Sequence, residues 1–388
     1  MATRTLVVDG LRLLGSRTAV GRHVEYLAQW WSNNDIPFDQ VVIAVPGLVT
    51  LDGLGSTTPV EVRVCAPWLP NLAWQQVALP AVARRAAVLF CEYTCPVVAP
   101  TPPIVLANHG IYEALPHTFS RSQRFRATAA NRASARRARR VIANSTNTKA
   151  DLVRYFGIDA ADIEIVLPAP AAIFGREHDA EAVASERAAI LHDDLPFVLF
   201  VGKFSHRRHV PRLVEAFVRA RPRLSSSYRL VLVGPDITDV DPVALAARLG
   251  APASVVHIDH LEQERLALLY SAADLFVLPS EYEGLSWTML EAMASGTAVL
   301  TVDHPTVAEA AGRTVATIGE PTIEALCDSM VELLNDDARR QELARQARRQ
   351  VERFSPDAMA RSTTDMLDRV ARCHDRERLG SRVRSWRS

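Results

Sequence analysis

The feature that most constrains this chain is an alternation carried through almost its whole length. Runs of strand length, rich in Val, Ile and Leu, are separated by stretches of helical periodicity. The first series is "TLVVDG" (5–10), "VVIAVP" (41–46), "VEVRVC" (60–65), "AVLFCE" (87–92), "IVLANHG" (104–110), "VIANS" (141–145) and "IEIVLP" (163–168). Continuous apolar content of this kind suits strands buried on both faces of a parallel sheet. Val20, Val24, Leu27 and Trp31 fall on one face of an intervening helix. Segment 176–196 is polar, lacks strand character, and reads as a connector or a peripheral helix.

A second series follows: "FVLFVG" (197–202), "YRLVLVG" (228–234), "SVVHID" (254–259), "LFVLPS" (275–280), "AVLTVD" (298–303) and "TVATI" (314–318). Its best helix carries Val210, Leu213, Val214, Phe217 and Val218 as one stripe, with Pro211 in the first turn. Two successive βα series predict an α/β chain of two domains, each a parallel sheet with helices on both faces. The expected division is 1–175, a connector over 176–196, a second domain over 197–355, a helix over 356–374 and a basic tail over 375–388. Ligands of such sheets bind at the carboxyl ends of the strands, so a cleft between two facing sheets is the expected active site.

Charge weighs against one class of function. The 44 basic and 44 acidic residues balance, whereas nucleic-acid binders carry a basic excess. Lysine occurs only as Lys149 and Lys203, so a lysine in a suggestive loop stands out. Cys65, Cys91, Cys95, Cys327 and Cys373 complete no zinc pattern and read as reduced thiols of a cytoplasmic protein. The first strand begins at once, with no signal peptide expected, and no apolar stretch reaches the ~20 residues that span a bilayer.

Within "SEYEGLSWTMLEAMASGTAVLTVD" (280–303), Glu283 and Glu291 stand eight apart around an uncharged turn. The stretch reads as strand end, tight loop, helix and strand. Gly284 permits close backbone approach, Ser286 caps a helix over 287–295, and Gly296 ends it. Loop N–H groups and a helix N-terminus favour an anion such as a diphosphate, while the carboxylates accept hydrogen bonds from hydroxyls. A diphosphate flanked by two hydroxyl-rich rings uses both, and that is the shape of a nucleotide sugar.

This segment resembles the E-x7-E stretch of retaining glycosyltransferases of family four, which have the GT-B fold. Pro279, Ser280, Glu283, Gly284, Leu290, Glu291, Ala292, Met293, Ala294 and Gly296 match the pattern, while Leu285, Ser286 and Ala298 depart from it. The resemblance implies that Glu283 contacts the donor sugar and Glu291 the ribose, with Gly284, Leu285 and Ser286 at the donor. "FVLFVGKFSHRRHVPRLVEAF" is similar to the family's V-G-R-L-x-x-x-K-G stretch. After Gly202, Lys203 stands where the pattern has arginine and Arg208 where it has lysine. Two cations on that loop can stabilise a departing nucleoside diphosphate.

"VVDGLRLLGSRTAVGRHVEYL" resembles the D-x-R-x-L-x-G-x-x-T-G-I-G-R-Y segment, with Ala19 replacing a glycine and Gly21 retained. It implies a helix start near Ala19 aimed at the diphosphate. His109 ends a strand where the family places a histidine near the reacting sugar and acceptor. Ser145 and Lys149 lie in a segment read mainly as scaffold. The resemblance further implies that the C-terminal helix crosses back to the first domain.

The expected activity is metal-independent, retaining transfer from a nucleoside diphosphate sugar, UDP or GDP, with no other cofactor. The acceptor is a hydroxyl-bearing small molecule, glycan or lipid, with a small natural product or glycan precursor preferred. Rival readings are a GT-B epimerase and a non-catalytic nucleotide-sugar binder; a pyridoxal phosphorylase needs a lysine where only two exist. Residues 121–140 hold eight arginines and no acid. With Phe125 as the one large apolar residue there, a solvated basic helix is favoured over peripheral membrane contact.

Overall fold

Strands that are apolar on both faces need cover on both sides, and right-handed helical crossovers between parallel neighbours supply it. A computed structural model describes residues 3–15, 19–108, 111–118, 120–238 and 240–385. The chain divides into two compact units, residues 1–167 with 357–388, and residues 168–356.

The first unit holds β1 (Thr5–Asp9), β2 (Gln40–Val45), β3 (Val60–Val64), β4 (Val88–Glu92), β5 (Ile104–Ala107), β6 (Arg140–Ala143) and β7 (Ile163–Ile165). All pair in parallel, in the order β3-β2-β1-β4-β5-β6-β7. The second unit holds β8 (Phe197–Val201), β9 (Arg229–Val233), β10 (Val255–Ile258), β11 (Leu275–Leu278), β12 (Val299–Val302) and β13 (Ala316–Ile318). These too are parallel, in the order β10-β9-β8-β11-β12-β13. Both sheets are doubly wound. The order reverses between β1 and β4 in one, and between β8 and β11 in the other. At such a switch point neighbouring loops leave in opposite directions and open a crevice at the strands' carboxyl ends.

Each apolar run forms its strand, but several stop short at the carboxyl end. Over 104–110 the ladder pairing ends at Ala107; Asn108 then turns its side chain back, donating Nδ2–H to the Tyr93 carbonyl at 2.7 Å. Asn108, the polar residue that follows this strand, thus belongs to the loop.

The helix Ala19–Asn33 buries Val24, Leu27, Ala28 and Trp31 completely. The polar segment ahead of β8 forms the helix Ala180–Leu191 in the second unit. Asp179 caps it, and its Glu186 takes the Arg265 guanidinium at 2.9 Å.

The C-terminal helix Pro356–Ser385 belongs with the first unit from Asp357 onward, and most of the arginine-rich tail continues it. Its Asp357 accepts from the Tyr26 hydroxyl and the Trp30 indole at 3.2 and 3.1 Å. Deeper in, Trp31 donates its indole N–H to Thr364 Oγ1 at 2.8 Å with both residues buried. Replacing that hydroxyl by a methyl strands a buried donor. Thr364→Val is therefore expected to destabilise the first unit by about 1–3 kcal/mol, read as a lowered midpoint in urea.

Candidate active site

The second unit's switch point brings together the loops after β8 and β11. β8 leads into Gly202, whose φ of +142° suits glycine. A Cβ there would lie 2.0 Å from Arg208 Nη1, so the missing side chain leaves room for that guanidinium. The chain then makes a single turn over His206–Arg208 and enters the helix Val210–Ala220 through His209 at φ +45°. In the family pattern the position of His209 is glycine. A histidine held left-handed costs about 1–2 kcal/mol, and here its Nε2 meets Glu281 Oε1 at 2.7 Å.

β11 leads into Pro279 and the loop 280–285. Ser286 Oγ caps the helix Trp287–Ala294 by accepting from Met289 N–H at 3.4 Å. Glu283 is the centre of the loop. Its Oε1 accepts from Arg207 Nη1, from Arg208 Nε at 3.0 Å and from the Ser280 hydroxyl at 3.0 Å. Its Oε2 has no hydrogen bond among the described residues. Burial pushes the Glu283 carboxyl up, but the Arg207 and Arg208 guanidiniums outweigh it and hold the group down at about 2. Burial lowers Arg208 from its ordinary value, opposed by the Glu283 charge. The result is a carboxylate ionised at any physiological pH, with one oxygen saturated and the other available.

Lys203 is exposed, and its ammonium has no partner among the described residues. Arg208 also reaches its carbonyl through Nη1 at 3.4 Å. Beside Glu283 lies a small cavity lined by Ser280, Ser286, Thr301, His304 and Thr306. Leu285 is turned into the core, 2% exposed, and Gly284 leaves the loop between it and Glu283. Glu291 sits on the same helix but does not line the cavity. It is 2% exposed and accepts from the Tyr270 hydroxyl at 3.1 Å, where Tyr270 packs edge-on against Phe174. The structure thus gathers Gly202, Lys203, Arg208, Glu283, Gly284 and Ser286 at one crevice and sets Glu291 one layer deeper. Of the acids of "DITDVD", Asp236 accepts from Thr238 N–H at 2.7 Å and Asp241 caps the helix Pro242–Arg248, accepting from Val243 and Ala244 N–H, while Asp239 lies outside the described residues.

In the first unit, Ala19 opens the helix Ala19–Asn33 and Gly21 lies in its first turn. His109 lies outside the described residues. Ser145 caps the helix Thr146–Asp151 and Lys149 donates to the Ile163 carbonyl at 2.7 Å, so both serve the scaffold.

Sequence reasoning missed Arg207, and it also missed a polar group at the switch between β1 and β4. There Asp9 accepts from Gln75 Nε2 at 2.7 Å and Leu11 N–H at 3.0 Å, and burial raises its carboxyl. Beside it His23 Nδ1 meets Glu92 Oε1 at 2.9 Å. An acid closing each of the apolar runs "TLVVD" and "VLFCE" is the signal that could have found the pair.

Two doubly wound units, one carrying a cation-held glutamate at its switch point, define a two-domain α/β class of fold. Residues 184–350 match the family described as glycosyl transferases group 1, and residues 20–169 match glycosyltransferase family 4. The chain belongs to this glycosyltransferase family.

Among curated relatives, the D-inositol 3-phosphate glycosyltransferase of Gordonia bronchialis is 30% identical over 232 residues, covering 56% of this chain and 49% of the relative. That of Rhodococcus opacus is 31% identical over 224 residues, covering 56% and 50%. The match therefore spans about half the length of these relatives. Among solved structures, sucrose-phosphate synthase from Thermosynechococcus elongatus superposes with a TM-score of 0.76 at 18% identity, over 95% of this chain and 99% of that one. Anabaena HepE, solved with UDP and glucose, gives 0.71 at 17%, over 94% and 99%. These two likenesses bear on fold. No helix among the described residues is long and apolar enough to cross a membrane.

Proposed function

We propose that this chain transfers a sugar from a nucleoside diphosphate to an acceptor hydroxyl, with retention at the anomeric carbon and without a metal ion. The observation that carries the reading is Glu283: an ionised carboxylate with one open oxygen, beside cations, at the switch point of a doubly wound sheet. A sugar hydroxyl donates to Oε2, while the diphosphate takes the positive side of the crevice at Lys203 and Arg208. The acceptor oxygen attacks the anomeric carbon on the face that the diphosphate leaves. The bond from that carbon to the phosphate oxygen breaks, and the departing phosphate takes the acceptor's proton. Charge builds on the phosphate as the bond breaks, and one well-placed donor to such a charge is worth about 3–4 kcal/mol.

Glu291 is assigned to the ribose hydroxyls on the resemblance alone, since in this structure it is buried and takes the Tyr270 hydroxyl. His109 is assigned a place near the reacting sugar on the resemblance alone. The nucleotide is UDP or GDP, a reading supported by the UDP bound to HepE. The acceptor is a small hydroxylated molecule, a choice supported by the inositol phosphate in the name of the curated relatives.

Ligand stabilisation follows affinity directly, so a melting screen against UDP-, GDP- and dTDP-sugars tests the reading. At least one sugar nucleotide is expected to raise the melting temperature, and the glycosylated product to keep the donor's anomeric configuration by NMR. A screen blank for every nucleotide sinks the proposal. Turnover of the donor to a rearranged sugar without any acceptor turns it toward an epimerase.

A further inference from the structure

We infer that Arg207 is a positioning residue for the donor sugar, acting by fixing the Glu283 carboxylate so that Oε2 is the oxygen on offer. The inference rests on the nucleotide-sugar reading above. Arg207 occupies a position that the family pattern leaves open, so the resemblance assigns it nothing.

Its Nη1, with two N–H bonds to share, lies within hydrogen-bond distance of three acceptors on one loop: the Ser280 hydroxyl at 2.8 Å, the Tyr282 carbonyl at 2.7 Å and Glu283 Oε1. The Arg207 carbonyl also accepts from Glu281 N–H at 3.0 Å, so backbone and side chain both grip the loop. Two residues on, His209 is held left-handed and meets Glu281 Oε1 at 2.7 Å. A backbone outlier persists only where its surroundings over-determine it. Here the surroundings are this clasp between 207–209 and 280–283.

Arg208 does something different. Its guanidinium runs from Glu283 Oε1 to the Lys203 carbonyl and passes over Gly202, toward the turn that carries the exposed Lys203. Both guanidiniums load the same carboxylate oxygen. A turn of the Glu283 carboxylate out of its plane would break all three hydrogen bonds to Oε1, and Arg207 is the cation among those donors that also grips the Ser280 hydroxyl and the Tyr282 carbonyl. Arg207 therefore sets the sugar-binding group, while Lys203 and Arg208 set the diphosphate-binding group.

The test separates these two parts of the ligand. UDP, GDP, UDP-glucose and GDP-mannose are titrated calorimetrically against wild type, Arg207→Gln, Arg207→Lys and Lys203→Ala. Wild type is expected to bind one sugar nucleotide together with its parent diphosphate. Arg207→Gln should keep the diphosphate affinity within about twofold. Its affinity for the sugar nucleotide and its kcat should fall about 10- to 100-fold, the worth of a hydrogen bond to a charged group. Arg207→Lys should recover part of that loss by restoring the charge. Lys203→Ala should weaken the diphosphate and the sugar nucleotide alike.

If Arg207→Gln weakens both ligands equally, Arg207 is a phosphate cation and the inference falls. Unchanged transfer in Arg207→Gln also overturns it. Should Arg207→Gln not fold, the same comparison is made on Arg207→Lys, where equal loss on both ligands, or none, overturns the inference. If wild type binds none of the four probes, the nucleotide-sugar reading itself has failed.

Discussion

Glu283→Ala is expected to abolish transfer and to lower the stability of the second unit by about 3–5 kcal/mol, because it leaves two guanidiniums buried without their counter-ion. The Arg207 and Arg208 side chains are only 16% and 13% exposed, so water cannot replace the carboxylate freely. Glu283→Gln keeps the shape and a carbonyl oxygen for the arginines but removes the charge, so it should fold better and still lose transfer. The same ion cluster fixes an acid dependence. Glu283 titrates near 2 when folded, below its ordinary value of 4.5. A lowered carboxyl stabilises the fold fully above the ordinary value, and the contribution is lost as the pH falls through about 2. Urea midpoints of wild type and Glu283→Gln should accordingly differ most above pH 5 and converge as the pH approaches 2. A constant difference across that range would show that the charge of Glu283 contributes nothing.

Gly202→Ala and Gly234→Ala should separate placement from stability. At Gly202 an added Cβ meets the Arg208 Nη1 at 2.0 Å, the far end of a flexible side chain that can swing aside. At Gly234, φ +136°, it meets the Gly202 carbonyl oxygen at 2.3 Å, and backbone cannot swing. Both substitutions carry the strain of an unusual φ, about 1–3 kcal/mol. Gly234→Ala adds overpacking of about 1–3 kcal/mol more and should be the less stable variant in urea. Gly202→Ala should stay folded with transfer reduced at least tenfold, since Arg208 can no longer lie between Glu283 and the Lys203 carbonyl. Equal stabilities for the two variants would contradict this account of the turn.

How much of this was legible beforehand follows from the range of each interaction. The runs at 197–201 and 275–278 announce buried strands through their own composition, and Ser286 announces a cap three residues before the N–H it accepts from. The E-x7-E spacing places Glu283 on a loop and Glu291 on a helix by local rules alone. Arg207 was not legible: "HRRH" gives no reason to favour a bond to Glu283 across 76 residues. Nor was the deeper setting of Glu291, because its partner Tyr270 is 21 residues away on a helix of another crossover. The meeting of His23 with Glu92, 69 residues apart, depends on the helix Ala19–Asn33 lying over the junction of β1 and β4.

What the sequence by itself determined is the set of elements and their class: two series of parallel strands, the helices between them, and the glycines and caps that turn one into the next. Those choices depend on neighbours a few residues away, through steric limits on φ and the period at which apolar side chains recur. Only the tertiary structure decided which charges meet. Strand order sets loops side by side that are far apart along the chain, and a carboxylate in a crevice pairs with whichever cations that order delivers. Here it delivered two arginines to one oxygen of Glu283 and left the other oxygen open.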